Sequence, residues 1–194
     1  MFFNTENNFY YYLVAKIMEK RLAKVLYPLA DDFSGEFLES LAKEYESIPP
    51  TIRKGRPVRV TLAAIAYRKL LEEGEPILLH EVCEWFGADK KRTRRTLRKI
   101  YGKYIEPDVE ELIGRFYPRY SRIWEKMRDF YERNKDILDR HSPSIVVATC
   151  VHLLTGFSQR GSALKLGVTD DSIRGVVKEL KRAGRIPDYN PRNY

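Results

Sequence analysis

Between Asp89 and Glu106 the chain carries Lys90, Lys91, Arg92, Arg94, Arg95, Arg98, Lys99 and Lys103, with no acid among them. At helical spacing Thr93, Leu97, Ile100 and Tyr104 supply an inner face, and the cations take the rest of the circumference. Ordinary solvated faces mix signs, because like charges at i,i+4 destabilise a helix by roughly 0.2–0.5 kcal/mol a pair. A one-sign run of this length fits a surface that neutralises phosphates. A second constellation, Thr169, Ser172, Arg174, Lys178 and Lys181, follows a Gly167-Val168 turn. Helices that read duplexes present their N-terminal side chains to base edges while cations hold the backbone. Asp170 and Asp171 count against close approach to phosphate, although a carboxylate can accept from cytosine.

Other chemistries find no complete set of residues. His80 and Cys83 are one helical turn apart and make half a metal site, but no second pair has ligand spacing. His80, His141 and His152 have no Ser or Cys nucleophile with an orienting carboxylate, and no phosphate-binding glycine loop of the G-x-x-x-x-G-K-[ST] kind occurs. Cys150 and His152 sit in an apolar run where packing is the expected role. Tyr10-Tyr11-Tyr12 reads as core or interface. The expectation is a protein without catalytic residues, metal or cofactor. Two cysteines in apolar helical stretches suit a reducing, intracellular compartment.

The elements that must position these residues read as helices throughout. Phe9 to Leu29 is amphipathic, and Ser34 caps a helix whose inner face is Phe37, Leu38, Leu41 and Tyr45, ended by Pro49-Pro50. Val58 to Leu71 is apolar on all sides, as a helix enclosed by others must be. A short helix (Leu78 to Phe86), a turn at Gly87-Ala-Asp89 and the basic helix (Lys90 to Tyr104) follow. The plan then recurs. Pro107-Asp108 opens a helix through Phe116, and Tyr120 to Leu138 is amphipathic. Ser142-Pro143 starts a second all-apolar helix, Ile145 to Leu154. A short helix (Gly161 to Leu166), a Gly167 turn and a last helix (Asp170 to Ala183) complete the repeat. Pro57 corresponds to Pro143 and Gly87 to Gly167.

The spacing therefore predicts an all-α protein of two tandem helical bundles, each ending in a helix-turn-helix. The expected divisions are 1–104, 105–184 and a basic, flexible tail at 185–194. The 194 residues are 43% hydrophobic, enough for proper cores. Lys and Arg number 35 against 27 Asp and Glu, a net charge of +8 that favours polyanionic partners. No run is long and uncharged enough to span a membrane, and the aromatic N-terminus lacks the basic leader and cleavage site of a signal peptide. A cytoplasmic, nucleoid-associated protein is expected.

Gly55-Arg-Pro-Val-Arg-Val-Thr-Leu-Ala-Ala-Ile-Ala-Tyr67 resembles the start of the central helix in the first cyclin-like repeat of transcription factor B, the archaeal counterpart of transcription factor IIB. Ser142-Pro-Ser-Ile-Val-Val-Ala-Thr-Cys-Val-His152 is similar to its second-repeat partner, and Gln159-Arg160 through Leu180 to its helix-turn-helix. The likeness covers about Glu36 to Arg182. It implies two cyclin-like repeats that clamp TATA-binding protein on promoter DNA, with Thr169, Ser172, Arg174 and Lys178 where the family's DNA-reading helix lies. The basic helix would face DNA from the first repeat. Two departures stand out. There is no C-x-x-C pair for the family's zinc ribbon, which leaves RNA polymerase as a doubtful partner. Pro143 to Gly167 is also shorter than Pro57 to Gly87. The expected function is a DNA-binding transcription regulator; the rival is a cyclin-like adaptor for a protein partner, without DNA.

Overall fold

The structure, a computed structural model, describes residues 20–186. Tyr10-Tyr11-Tyr12, the first half of the helix expected from Phe9, and the tail beyond Ile186 lie outside the described residues. Among the described residues every regular element is helical. In chain order these are α1 (Lys20–Leu26), α2 (Gly35–Ser47), α3 (Pro50–Arg53), α4 (Val58–Glu72), α5 (Leu79–Trp85), α6 (Lys90–Tyr101), α7 (Val109–Phe116), α8 (Arg122–Arg133), α9 (Lys135–Leu138), α10 (Pro143–Thr155), α11 (Gln159–Leu166) and α12 (Asp170–Arg182). The chain divides into two compact units. One runs through Glu75 and resumes over Leu79–Tyr104; the other takes Pro76–Leu78 and the chain from Ile105.

The first unit is built around α4. Val60 through Tyr67 are all buried, so two full turns are enclosed on every side. Ala63, Ala64 and Ala66 are wholly buried, and their small side chains let neighbouring helices come close. Helices α1, α2, α5 and α6 pack on α4. The Ser34 hydroxyl caps α2 by accepting the Phe37 N–H at 3.2 Å. A polar tie links three helices: Tyr101 donates to Glu44 at 2.5 Å, and Lys69 holds the other Glu44 oxygen at 3.1 Å. Burial, then the accepting carboxylate, pushes the Tyr101 phenol far above its ordinary range, so it stays a donor.

The second unit repeats the design around α10, where Val146 through His152 are buried. Leu112, Met127, Ile173 and Leu180, from α7, α8 and α12, close the core without measurable exposure. Helix α7 opens with a capping box in which the Asp108 side chain accepts the Glu111 N–H and the Glu111 side chain accepts the Asp108 N–H. Helix α10 is capped from a distance. Ser142 makes no side-chain cap, and the Glu106 carboxylate instead accepts the Ser144 N–H at 3.4 Å and its Oγ–H at 3.0 Å. A negative charge at a helix N-terminus also meets the positive end of the macrodipole. Glu106→Ala is accordingly expected to destabilise the protein by about 1–2 kcal/mol, read from chemical denaturation. A change within error would mean that water caps α10 equally well.

Several boundaries differ from the sequence reading, each for a local reason. The basic helix stops at Tyr101, because Gly102 takes a left-handed cap. Lys103 and Tyr104 therefore lie past its end, and Tyr104 turns back to stack on Tyr67 with ring centroids 5.9 Å apart. The single helix expected over Tyr120 to Leu138 is broken. Tyr120 is left-handed (φ 64°), Ser121 caps α8, and the Asn134 side chain donates to the Phe130 carbonyl at 2.7 Å. That bond ends α8 and lets α9 start anew. Pro28 converts the chain after α1 into a 3-10 turn over Tyr27–Leu29. Pro49 and Pro50 end α2 as expected, yet Pro50 also opens the one-turn α3, since proline suits the first helical position.

Candidate nucleic-acid interface

In each unit a short helix passes through a glycine turn into a longer, more polar one. Gly87 and Gly167 both have positive φ, 56° and 61°. The residue after each donates back across the turn, Ala88 to the Cys83 carbonyl at 2.7 Å and Val168 to that of Ala163 at 3.0 Å. This is the six-to-one closure that a left-handed residue allows, and a side chain with a Cβ would be strained there. Two residues past each glycine a side chain caps the next helix: Asp89 accepts the Arg92 N–H at 2.7 Å, and Thr169 accepts the Ser172 N–H at 3.2 Å. The two helix-turn-helix elements thus share the same turn closure and the same capping position, with a carboxylate in the first and a hydroxyl in the second.

Their outer faces differ sharply in charge. On α6, Thr93, Thr96 and Leu97 are buried, while Lys91, Arg92, Arg95, Arg98 and Lys99 are exposed. No acid lies in the first turn, and Arg98 and Lys99 fall in the last, where cations suit the dipole. Thr96 joins the inner face, a position the apolar pattern missed because threonine reads as polar. Lys90 is half-buried. Arg94 is half-buried too, with its guanidinium 4.6 Å from the centre of the Tyr104 ring. The cations thus do not share one solvent face: five are exposed on α6, Lys103 is exposed beyond its cap, and Arg94 packs against the unit.

On α12, Ile173, Val176, Val177 and Leu180 are buried, and Arg174, Lys178 and Lys181 are exposed. The first turn is acidic, with Asp170 and Asp171. Asp171 holds Arg174 at 2.6 Å, one turn along the helix. Thr169 and Ser172 are joined hydroxyl to hydroxyl at 2.8 Å within the cap. All five side chains singled out on this helix are therefore brought to one end or one face, but three of them already have local partners. To read a base, Arg174 must leave Asp171.

Two further cations belong to the α6 neighbourhood. Lys54 and Arg56, from the loop between α3 and α4, line a cleft of about 320 Å³ together with Arg92, Arg95 and Thr96. The sequence offered a weak signal for them, a Lys-Gly-Arg-Pro turn ahead of the core helix, but no periodicity linked it to α6. Only packing does.

Of the other residues that could bear chemistry, His152, Cys83 and Cys150 are buried. The His152 ring shares a 2.7 Å hydrogen bond with the Phe157 carbonyl, and the ring itself is buried in α10. Among the described residues no three His, Cys, Asp or Glu side chains gather in a way that could hold a metal ion. No described helix is long and apolar enough to cross a membrane. Both cysteines are free and buried. Burial pushes the Cys150 thiol up to about 12 and raises that of Cys83, the latter against a hydrogen bond from Thr93 that lowers it. With so little thiolate at neutral pH, a thiol reagent should label neither residue until the protein unfolds. Labelling of native protein as fast as of denatured protein would show that α5 or α10 opens readily. Compared with known proteins, the chain matches no family model, and no curated protein is significantly similar to it.

Proposed function

We propose that this chain is a double-stranded DNA-binding protein that regulates transcription from promoters, a binding protein and not an enzyme. The observation that carries the reading is the exposed face of α6, five cations of one sign with no carboxylate on the same helix. A protein that neutralises several phosphates releases their counterions, so its affinity falls steeply with salt. The succession of enclosed core helix, short helix, glycine turn and polar helix in both units supports a pair of cyclin-like repeats resembling the core of transcription factor B. That resemblance makes TATA-binding protein the proposed partner on promoter DNA, with the nucleoid as the place of action.

The second reading, a cyclin-like adaptor for a protein, draws on a different surface. Phe157, two residues before α11, and Leu164, within it, are 47% and 71% exposed. Apolar side chains left in water on a folded unit suit a protein contact better than a phosphate backbone.

Gel-shift titration on promoter DNA, with and without TATA-binding protein, over a range of salt separates the two. The DNA reading expects a steep salt dependence for the chain alone and a tighter ternary complex. The adaptor reading expects no shift at any salt. In the same assay Arg174→Ala or Ser172→Ala should reduce discrimination among sites by about 1–3 kcal/mol if those side chains reach base edges. Variants that select the parent's sequences from a random pool would make α12 a purely structural helix.

A further inference from the structure

We infer that the cleft between α6 and the α3–α4 loop is a phosphate pocket for a phosphate or diphosphate group, in which two of the exposed α6 cations are joined by two from the facing loop. Four cations line it. Arg92 and Arg95 lie one helical turn apart on the same flank of α6, and Lys54 and Arg56 come from the facing loop. No carboxylate lines the cleft. Like charges gathered around one hollow repel each other, and an anion placed among them removes that cost.

Size and order point the same way. About 320 Å³ is several times the roughly 30 Å³ of a water molecule, room for a phosphate or diphosphate group with part of its hydration. Such a hollow gathers four cations around one phosphate or diphosphate group, whereas the cations spread along α6 can meet several phosphates in a row. Arg56 is already held, because its guanidinium donates to the Ile52 carbonyl. The buried Thr96 and Val60 also line the cleft.

The phosphate has two possible sources, a backbone phosphate of DNA or a free phosphate compound; the pocket itself does not depend on the DNA reading. The test uses inorganic pyrophosphate, followed by calorimetry at low salt, beside a short DNA duplex followed by fluorescence anisotropy over a salt series. The parent should bind pyrophosphate with a Kd of about 1 mM or tighter, and Lys54→Glu and Arg92→Gln should each weaken it by about tenfold or more. Thermal melting checks that each variant is folded, and Arg92→Gln decides if Lys54→Glu is not.

If Lys54→Glu also lowers DNA affinity and flattens its salt slope by about 0.9, the pocket holds a backbone phosphate. If Lys54→Glu, which lies off α6, weakens pyrophosphate and leaves DNA binding intact, the ligand is a free phosphate compound. Pyrophosphate binding by a parent that does not bind DNA would sink the DNA reading and leave the pocket standing. The pocket itself is overturned if the parent ignores pyrophosphate, or if folded variants bind it as the parent does, whatever the duplex shows.

Discussion

Replacing Lys91, Arg98 and Lys99 together with alanine is expected to weaken duplex binding on the order of 100-fold at moderate salt, alike for all sequences. The salt slope should flatten by about 2.7, which is about 0.9 for each phosphate contact removed. These three are chosen because they are exposed on α6 and take no part in the unit's packing. Arg94 is left alone, since its guanidinium lies over Tyr104 and truncating it would loosen the fold as well as the charge. Arg92 and Arg95 are left because they line the cleft. Alanine keeps the helix, being the best helix former, so circular dichroism should be unchanged. A slope equal to the parent's would place the DNA surface elsewhere.

The largest expected loss of stability comes from Leu62→Ala in the first core helix. Leu62 has no measurable exposure and lies in the run of α4 that is enclosed on every side. Removing a buried leucine loses its transfer free energy and leaves a cavity, together about 2–5 kcal/mol. The nearby alanines, Ala63, Ala64 and Ala66, sharpen the effect, because small side chains cannot swing into the hole. With typical stabilities of about 5–15 kcal/mol, that is a large fraction of the total. Urea denaturation followed by helix signal measures it, through a lower midpoint at an unchanged slope. A loss below about 1 kcal/mol would mean that α4 is less tightly enclosed than its burial implies.

Helix type and order were legible in the sequence because they depend on short-range facts. Apolar residues on all sides of Val58 to Leu71 and Ile145 to Leu154 leave enclosure as the only stable arrangement, and both core helices are buried through their middles. Ser34 and Asp108 announced helix starts through hydroxyl and carboxylate oxygens that reach the backbone three residues on. Gly87 and Gly167 marked turns that need a left-handed residue. Each of these is settled within about one helical turn of chain.

What the tertiary structure decided is everything that depends on residues distant in sequence. The division of the α6 cations is one case. Periodicity assigned them all to one outer circumference, but Tyr104, returning to the unit beyond Gly102, draws Arg94 inward, and the loop before α4 brings Lys54 and Arg56 to face Arg92 and Arg95. The cap on α10 is another, because Glu106 stands 38 positions from Ser144 and no local pattern could join them. The break at Asn134 is a third: a side chain that donates to Phe130 defeats a pattern of apolar residues that runs on through Leu138. Local spacing determines which residues can form a helix and which face turns inward. Whether a cation on the other face meets solvent, an aromatic ring or a facing loop is set by what the folded chain brings against it.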